Sequence, residues 1–176
     1  HFRSRRIRPR MEHVLADRRV RSHPPYDGML MQSQIHRWHM IGTLQTNKIK
    51  FIAAHVHWIH SVFKVKQLNE INKRAAQHNR VINVLIQVNI SEEPQKGGCE
   101  ADELDELLTH AQTLDHILVR GLMGMAKFTD DETIISDSFE LLRNLQQRHN
   151  TNYPKLTELS MGMSNDYALA LDKGST

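Results

Sequence analysis

Ser160, Gly162 and Ser164 alternate along the run LSMGMS, with Leu159, Met161 and Met163 between them. In an extended strand, alternation puts the small polar set on one face and the apolar set on the other. Two hydroxyls and a glycine running into a helix start suit a phosphate group, which backbone N–H groups and the helix dipole would both favour. The same residue types also make an ordinary N-cap after a strand, and spacing alone leaves both readings standing. Gly174-Ser175-Thr176 forms a second small-residue turn. It suits a phosphate loop near the last strands of a parallel barrel, or a plain helix C-cap with a left-handed glycine.

Other residue types invite chemistry with less support. His55, His57 and His60 form a histidine run, and His39 could join it from a neighbouring strand. HxH on a strand would place two imidazoles on one face. No Asp, Glu or Cys with ligand spacing accompanies them, so the expectation is no metal. Lys48 and Lys50 lie in TNKIK at a helix start, where a lysine is solvated; an imine-forming lysine is usually desolvated. Cys99 follows Gly97-Gly98 at an expected helix start, where a thiol can be incidental or activated.

These residues need elements to position them. Five short strand-like runs recur along the chain: WHMIG (38–42), His57 to Val62, VLIQVNI (84–90), VRGLMGM (119–125) and LSMGM (159–163). Between them lie helical patterns. One carries Ile49, Ile52, Ala53 and Val56. A second, from about Lys64 to His78, carries Val65, Leu68, Ile71 and Ala75. A third, over about 100–114, carries Leu104, Leu107, Leu108, Ala111 and Leu114. A fourth carries Ile135, Phe139, Leu142 and Leu145 behind a Thr129–Glu132 capping box. Ser164 is expected to cap a last short helix ending near Gly174. In VLIQVNI the successive apolar residues Val84, Leu85 and Ile86 suit a strand covered on both faces. Gln87 and Asn89 then turn a polar face to the barrel interior near its mouth. Strand–helix alternation predicts parallel strands and right-handed crossovers, an α/β barrel architecture.

The chain has 176 residues, 39% of them apolar, which is enough for one domain with a proper core. It contains no run of about 18 apolar residues, so no membrane-spanning helix is expected. A single Cys excludes a disulfide framework within the chain and suits a reducing compartment such as the cytoplasm. The basic pI of about 9.1 comes from one end. Residues 1–22 hold eight Arg against Glu12 and Asp17, a net of +6, which leaves −3 for the remainder of a +3 chain. A nucleic-acid surface would normally lie across the folded body, so no nucleic-acid partner is expected. Residues 1–35 therefore read as an atypical Arg-rich head, and 36–176 as the folded unit.

From WHMIGTLQTNKIK onward the chain resembles the YggS/PROSC family of pyridoxal-phosphate homeostasis proteins, related in fold to the N-terminal domain of alanine racemase. The register continues through IHSV (59–62), NVLIQVNIS (83–91), the QKGG loop (95–98), RGLMGM (120–125) and LSMGMSNDYALALDKGST (159–176). The resemblance covers about residues 38–176. It implies a (β/α)8 TIM-type barrel with pyridoxal 5′-phosphate at the C-terminal mouth, and a role in binding and buffering that cofactor without robust turnover. The family is mostly monomeric. The phosphate cradle implied by the resemblance falls on Ser160, Gly162 and Ser164, and on Gly174, Ser175 and Thr176. Asn89 and His39 complete the expected cofactor-binding set.

Departures from the family pattern matter as much. The Schiff-base lysine of a VSKTK-like first strand has no counterpart here, nor does an FGEN-like second strand or the VRIG-type eighth. Phe63 stands where the family usually has an acid. The resemblance thus implies strands three to seven of the barrel, a fragment with an unrelated head and weak or absent covalent cofactor attachment. Open barrel edges would favour self-association. Two other functions compete: a racemase-like enzyme on the same fold, which needs the imine lysine and a second acid–base residue, and a nucleic-acid module using the Arg-rich head, which would show salt-dependent binding.

Overall fold

The computed structural model describes residues 36–91, 93 and 96–176, together with the backbone of Val14–Ala16. Most of the Arg-rich head lies outside the described residues. Among the described residues the sheet has six strands in sequential order: β1 (Val14–Ala16), β2 (Trp38–Met40), β3 (Trp58–Val62), β4 (Ile82–Gln87), β5 (Ile117–Met123) and β6 (Glu158–Ser160). Strands β2 to β6 are parallel, each paired with the next, as the alternating pattern requires. β1 runs antiparallel to β2, with Val14 opposite Met40. That sixth strand was not legible in the periodicity of the head. The five parallel strands make a half-barrel.

Helices α1 (Ile49–Ile52), α2 (Val65–Gln77), α3 (Leu104–Ala111), α4 (Glu132–Asn150) and α5 (Tyr167–Asp172) lie between and after the strands. Their apolar stripes face the sheet. Leu68, Ile71 and Ala75 of α2 are fully buried, as are Leu104 of α3 and Phe139 and Leu142 of α4. They meet Ile59, Val84, Ile86 and Leu122 from the strands in one core. The α1 stripe is placed as expected, with Ile49, Ala53 and Val56 buried. Yet the helix itself stops at Ile52 and a turn carries the chain into β3.

Caps differ from expectation. Asp131, not a Thr129–Glu132 box, begins α4: its Oδ1 accepts from the Thr133 N–H at 2.9 Å and the Ile134 N–H at 3.4 Å. A carboxylate one residue before the helix reaches both orphan amides, and its charge opposes the dipole's positive end. Thr129 instead accepts from the Asp131 N–H. At α2 the buried Gln67 does the capping. Its Oε1 accepts from the Phe63 and Lys64 N–H groups at 2.9 and 3.1 Å, and its Nε2 donates to the Leu44 carbonyl at 2.9 Å.

Candidate functional site at the C-terminal mouth

The middles of β2 and β3 and the C-terminal end of β6 bring three expected or suspected residues together. His60 of β3 lies with Nδ1 at 2.8 Å from the Ser160 hydroxyl at the end of β6. Its Nε2 is 3.0 Å from Nδ1 of His39 on β2. The β2–β3 register sets this up, since His39 is opposite Trp58 and Met40 opposite Ile59. His39 stacks on the Trp58 ring with centroids 5.5 Å apart, and Trp58 meets His60 edge-on at 6.3 Å. His60 is 9% exposed. Burial first, and the neighbouring His39 second, push its pKa down to about 4, so the ring is neutral at physiological pH. His39 and Ser160 are only half-buried.

Beyond Ser160 the chain turns at Gly162, with φ +93°. A Cβ there would stand 2.6 Å from the Ala170 Cβ of α5. Both the left-handed backbone and the close approach of α5 demand glycine at this position. Ser164 follows, exposed. It does not cap α5. Asp166 precedes that helix, and its carboxylate accepts a hydrogen bond from the Met163 N–H. No side chain caps α5, because Ser164 stands two residues before the N-cap position that Asp166 occupies and the Asp166 carboxylate turns back to Met163. A cleft of about 880 Å³ opens beside the loop, bordered by Gly162, Ser164, Lys96, Phe128 and Asp172. Its size is that of an ordinary small-molecule site.

Ser175 and Thr176 lie along β6 rather than opening a separate loop. The Ser175 hydroxyl donates to the Met161 carbonyl at 2.8 Å. Thr176 donates its N–H to the Leu159 carbonyl at 2.9 Å and accepts from the Leu159 N–H on Oγ1 at 3.1 Å. Gly174 has φ +94° and supplies the left-handed C-cap of α5. Asn89 lies just beyond the C-terminal end of β4. It donates from Nδ2 to Glu100 and accepts from the Ser91 hydroxyl, both at 3.2 Å. Gln87, the last residue of β4, is buried and donates to the Lys96 and Gly97 carbonyls at 3.2 Å. Gln87 and Asn89 thus fasten the β4–α3 connection to the end of β4.

The remaining suspects separate. His55 and His57 precede β3 rather than lying on it, so the HxH pair is not a strand pair. His57 accepts the Trp38 N–H on Nδ1. Its pKa is lowered by burial and by Arg80 and Arg37. Among the described residues no three His, Cys, Asp or Glu side chains are grouped to hold a metal ion. Lys48 and Lys50 are exposed and lie over the Phe51 ring, their ammonium groups 5.8 and 4.9 Å from its centroid. Cys99 is not at a helix start, since α3 begins at Leu104. It forms a parallel bridge with Val88 and is 2% exposed. Burial and then the Glu103 carboxylate push its thiol up to about 12, which leaves it inert at neutral pH. Sequence reasoning missed the partnership of His60 with Ser160. The signal lay in parallel strand order, which lets side chains of β3 and β6 meet on one face of the curved sheet.

The family model described as alanine racemase, N-terminal domain, matches residues 29–175. A pyridoxal phosphate homeostasis protein of Aquifex aeolicus is 39% identical over 140 residues, covering 79% of this chain and 61% of the relative. The protein of that name from Escherichia coli K12 is 36% identical over 142 residues, with 79% and 59% covered. The chain therefore spans about three fifths of the length of these curated relatives. Among solved structures, PipY of Synechococcus elongatus with PLP bound superposes with a TM-score of 0.73 at 30% identity, covering 80% of this chain and 66% of PipY. Alanine racemase of Clostridium difficile, at 11% identity and a TM-score of 0.60, shares the fold. No described helix is long and apolar enough to cross a membrane. With the racemase-type half-barrel, the ordered motifs and the match over most of the chain in agreement, the chain belongs to the alanine racemase N-terminal-domain family, on the branch of proteins named for pyridoxal phosphate homeostasis.

Proposed function

We propose that this chain binds pyridoxal 5′-phosphate reversibly at the C-terminal mouth, as a cytoplasmic cofactor-homeostasis protein without turnover of its own. One observation carries the reading. The Gly162 turn leaves no room for a side chain against Ala170, and it stands between two serines at the edge of a ligand-sized cleft. A tight left-handed turn flanked by hydroxyls supports the reading of a phosphate cradle. Ser160, Gly162 and Ser164 form the cradle, and Gly174, Ser175 and Thr176 brace it from along β6. His39, joined to Ser160 through His60, and Asn89 complete the proposed set. Met163 contributes no amide, because the Asp166 carboxylate takes it. When bound, pyridoxal phosphate supplies an electrophilic aldehyde for amines. This chain's own residues bind and orient it. The lysines expected to be solvated are exposed, which favours non-covalent attachment. The single buried thiol fits a reducing compartment.

The test is equilibrium dialysis of the chain with pyridoxal phosphate, followed by borohydride reduction and peptide mass spectrometry. Saturable binding with scattered, substoichiometric lysine labelling is the expected result. One stoichiometric adduct at a single lysine, with Lys48 the first to check, would show that the chain has a covalent site and that the non-covalent reading is wrong. Absence of saturable binding would overturn the function itself.

A further inference from the structure

His60 uses both ring nitrogens, one toward Ser160 and one toward His39. A neutral imidazole has one N–H and one lone pair. The two bonds must therefore run head to tail, and only two arrangements are open. In the first, the Ser160 hydroxyl donates to His60 Nδ1 and His60 Nε2–H donates to His39. In the second, His39 donates to His60 Nε2 and His60 Nδ1–H donates to the Ser160 oxygen. Only the second releases the hydroxyl hydrogen of Ser160 toward the mouth.

We propose that His60 is a positioning residue for ligand binding: the His39–His60–Ser160 chain runs from His39 to Ser160 in the loaded protein, so that Ser160 presents its hydrogen to an acceptor atom of the bound phosphorylated ligand. This rests on the reading of Ser160 as part of the cofactor site. Geometry favours it. Ser160 is half-buried and at the end of its strand, with the cradle glycine two residues on. His60 is almost wholly enclosed, so it touches Ser160 and His39 in place of the ligand. Trp58, packed on His39 and edge-on to His60, limits how either ring can turn. A ligand oxygen that needs a donor then selects one tautomer of a buried ring it never contacts.

The first measurement needs no variant. Long-range proton–nitrogen NMR of the histidine rings is recorded on the wild-type chain before and after saturation with pyridoxal phosphate. The loaded protein is expected to carry the His60 proton on Nδ1; a proton on Nε2 would overturn the proposal. Affinity supplies the second. Ser160→Ala and His60→Leu should each weaken binding roughly tenfold, the worth of one hydrogen bond to a charged acceptor. The double variant should lose little more than either alone, because the two residues act as one unit. His60→Asn, which can still donate from the Nδ1 position, should restore most of the loss. If Ser164→Ala weakens binding while Ser160→Ala and His60→Leu leave it unchanged, the cofactor site stands and the relay is wrong. If the wild-type chain takes up no pyridoxal phosphate, both fall together.

Discussion

Gly121 of β5 lies against the backbone of Glu158 on β6 so closely that a Cβ at 121 would stand 1.8 Å from the Glu158 carbonyl oxygen. The two residues are register partners, and that pairing carries Ser160 to its place two residues further along β6, opposite Met123. A glycine in the middle of a strand is unfavourable by itself; here it lets two strands approach where the mouth is assembled.

Gly121→Ala is therefore expected to push β6 away from β5. The obstacle is backbone, which cannot turn aside as a side chain can. The expected loss is about 3 kcal/mol, at the upper end of overpacking effects, read from urea unfolding followed by circular dichroism. A loss below about 0.5 kcal/mol, the range of neutral surface changes, would show that the approach is not tight.

Gly162→Ala acts on the site rather than the sheet. The substitution meets an unfavourable φ and the Ala170 methyl at 2.6 Å. The cost to stability is on the order of 1–3 kcal/mol. Pyridoxal phosphate affinity should fall further than stability explains, in dialysis well below the melting temperature. Unchanged affinity in a folded variant would remove Gly162 from the cradle.

Acid should destabilise the fold through His60. Its pKa falls from an ordinary 6.5 to about 4 in the folded chain, so below pH 6.5 the unfolded chain binds the extra proton. Stability then decreases as pH falls from 6.5 to 4 and levels off below that. The full effect is roughly 3 kcal/mol. His57 shifts the same way, but it is solvated enough that water and salt blunt its share. Urea midpoints across pH 4–7 should show the slope, and His60→Asn should flatten it. An identical slope in that variant would place the acid sensitivity elsewhere.

Cys99 should resist alkylation in the native chain at pH 8. Burial beside Glu103 raises the thiol to about 12, and a thiol is reactive only as thiolate. Labelling with a thiol reagent is expected to follow unfolding by denaturant. Rapid stoichiometric labelling of the native chain would show that the β4–α3 connection opens readily.

Phe139 is fully buried on α4 among strand residues of the core. Phe139→Ala should lower stability by about 3–5 kcal/mol. A smaller loss in urea unfolding would mean that α4 packs loosely on the half-barrel.

Much of this was legible along the chain, and the reason is local. Leu68, Ile71 and Ala75 announce the inner face of α2 because helical spacing alone aligns them. Val84, Leu85 and Ile86 announce a strand covered on both faces, and all three are buried. What escaped depends on competition or distance. Asp131 displaced Thr129 as the α4 cap because a carboxylate outbids a hydroxyl for nearby amides, and Ser164 falls two residues short of the α5 N-cap position. Asn89 was legible as a polar residue near the mouth, but not its ties to Glu100 and Ser91. The bond between His60 and Ser160 joins residues 100 apart, and no window of sequence contains both. The antiparallel strand β1, within the Arg-rich head, was not legible either.

The sequential order of the strands has a kinetic consequence. Each pairing from β2 to β6 joins neighbours along the chain, so the sheet can grow one strand at a time over short loops. The His60–Ser160 bond closes a far longer one, and loop-closure entropy makes such contacts late. The candidate site is therefore completed near the end of folding. A ligand that needs His60 and Ser160 in place would stabilise finished chains and have little hold on partly assembled ones.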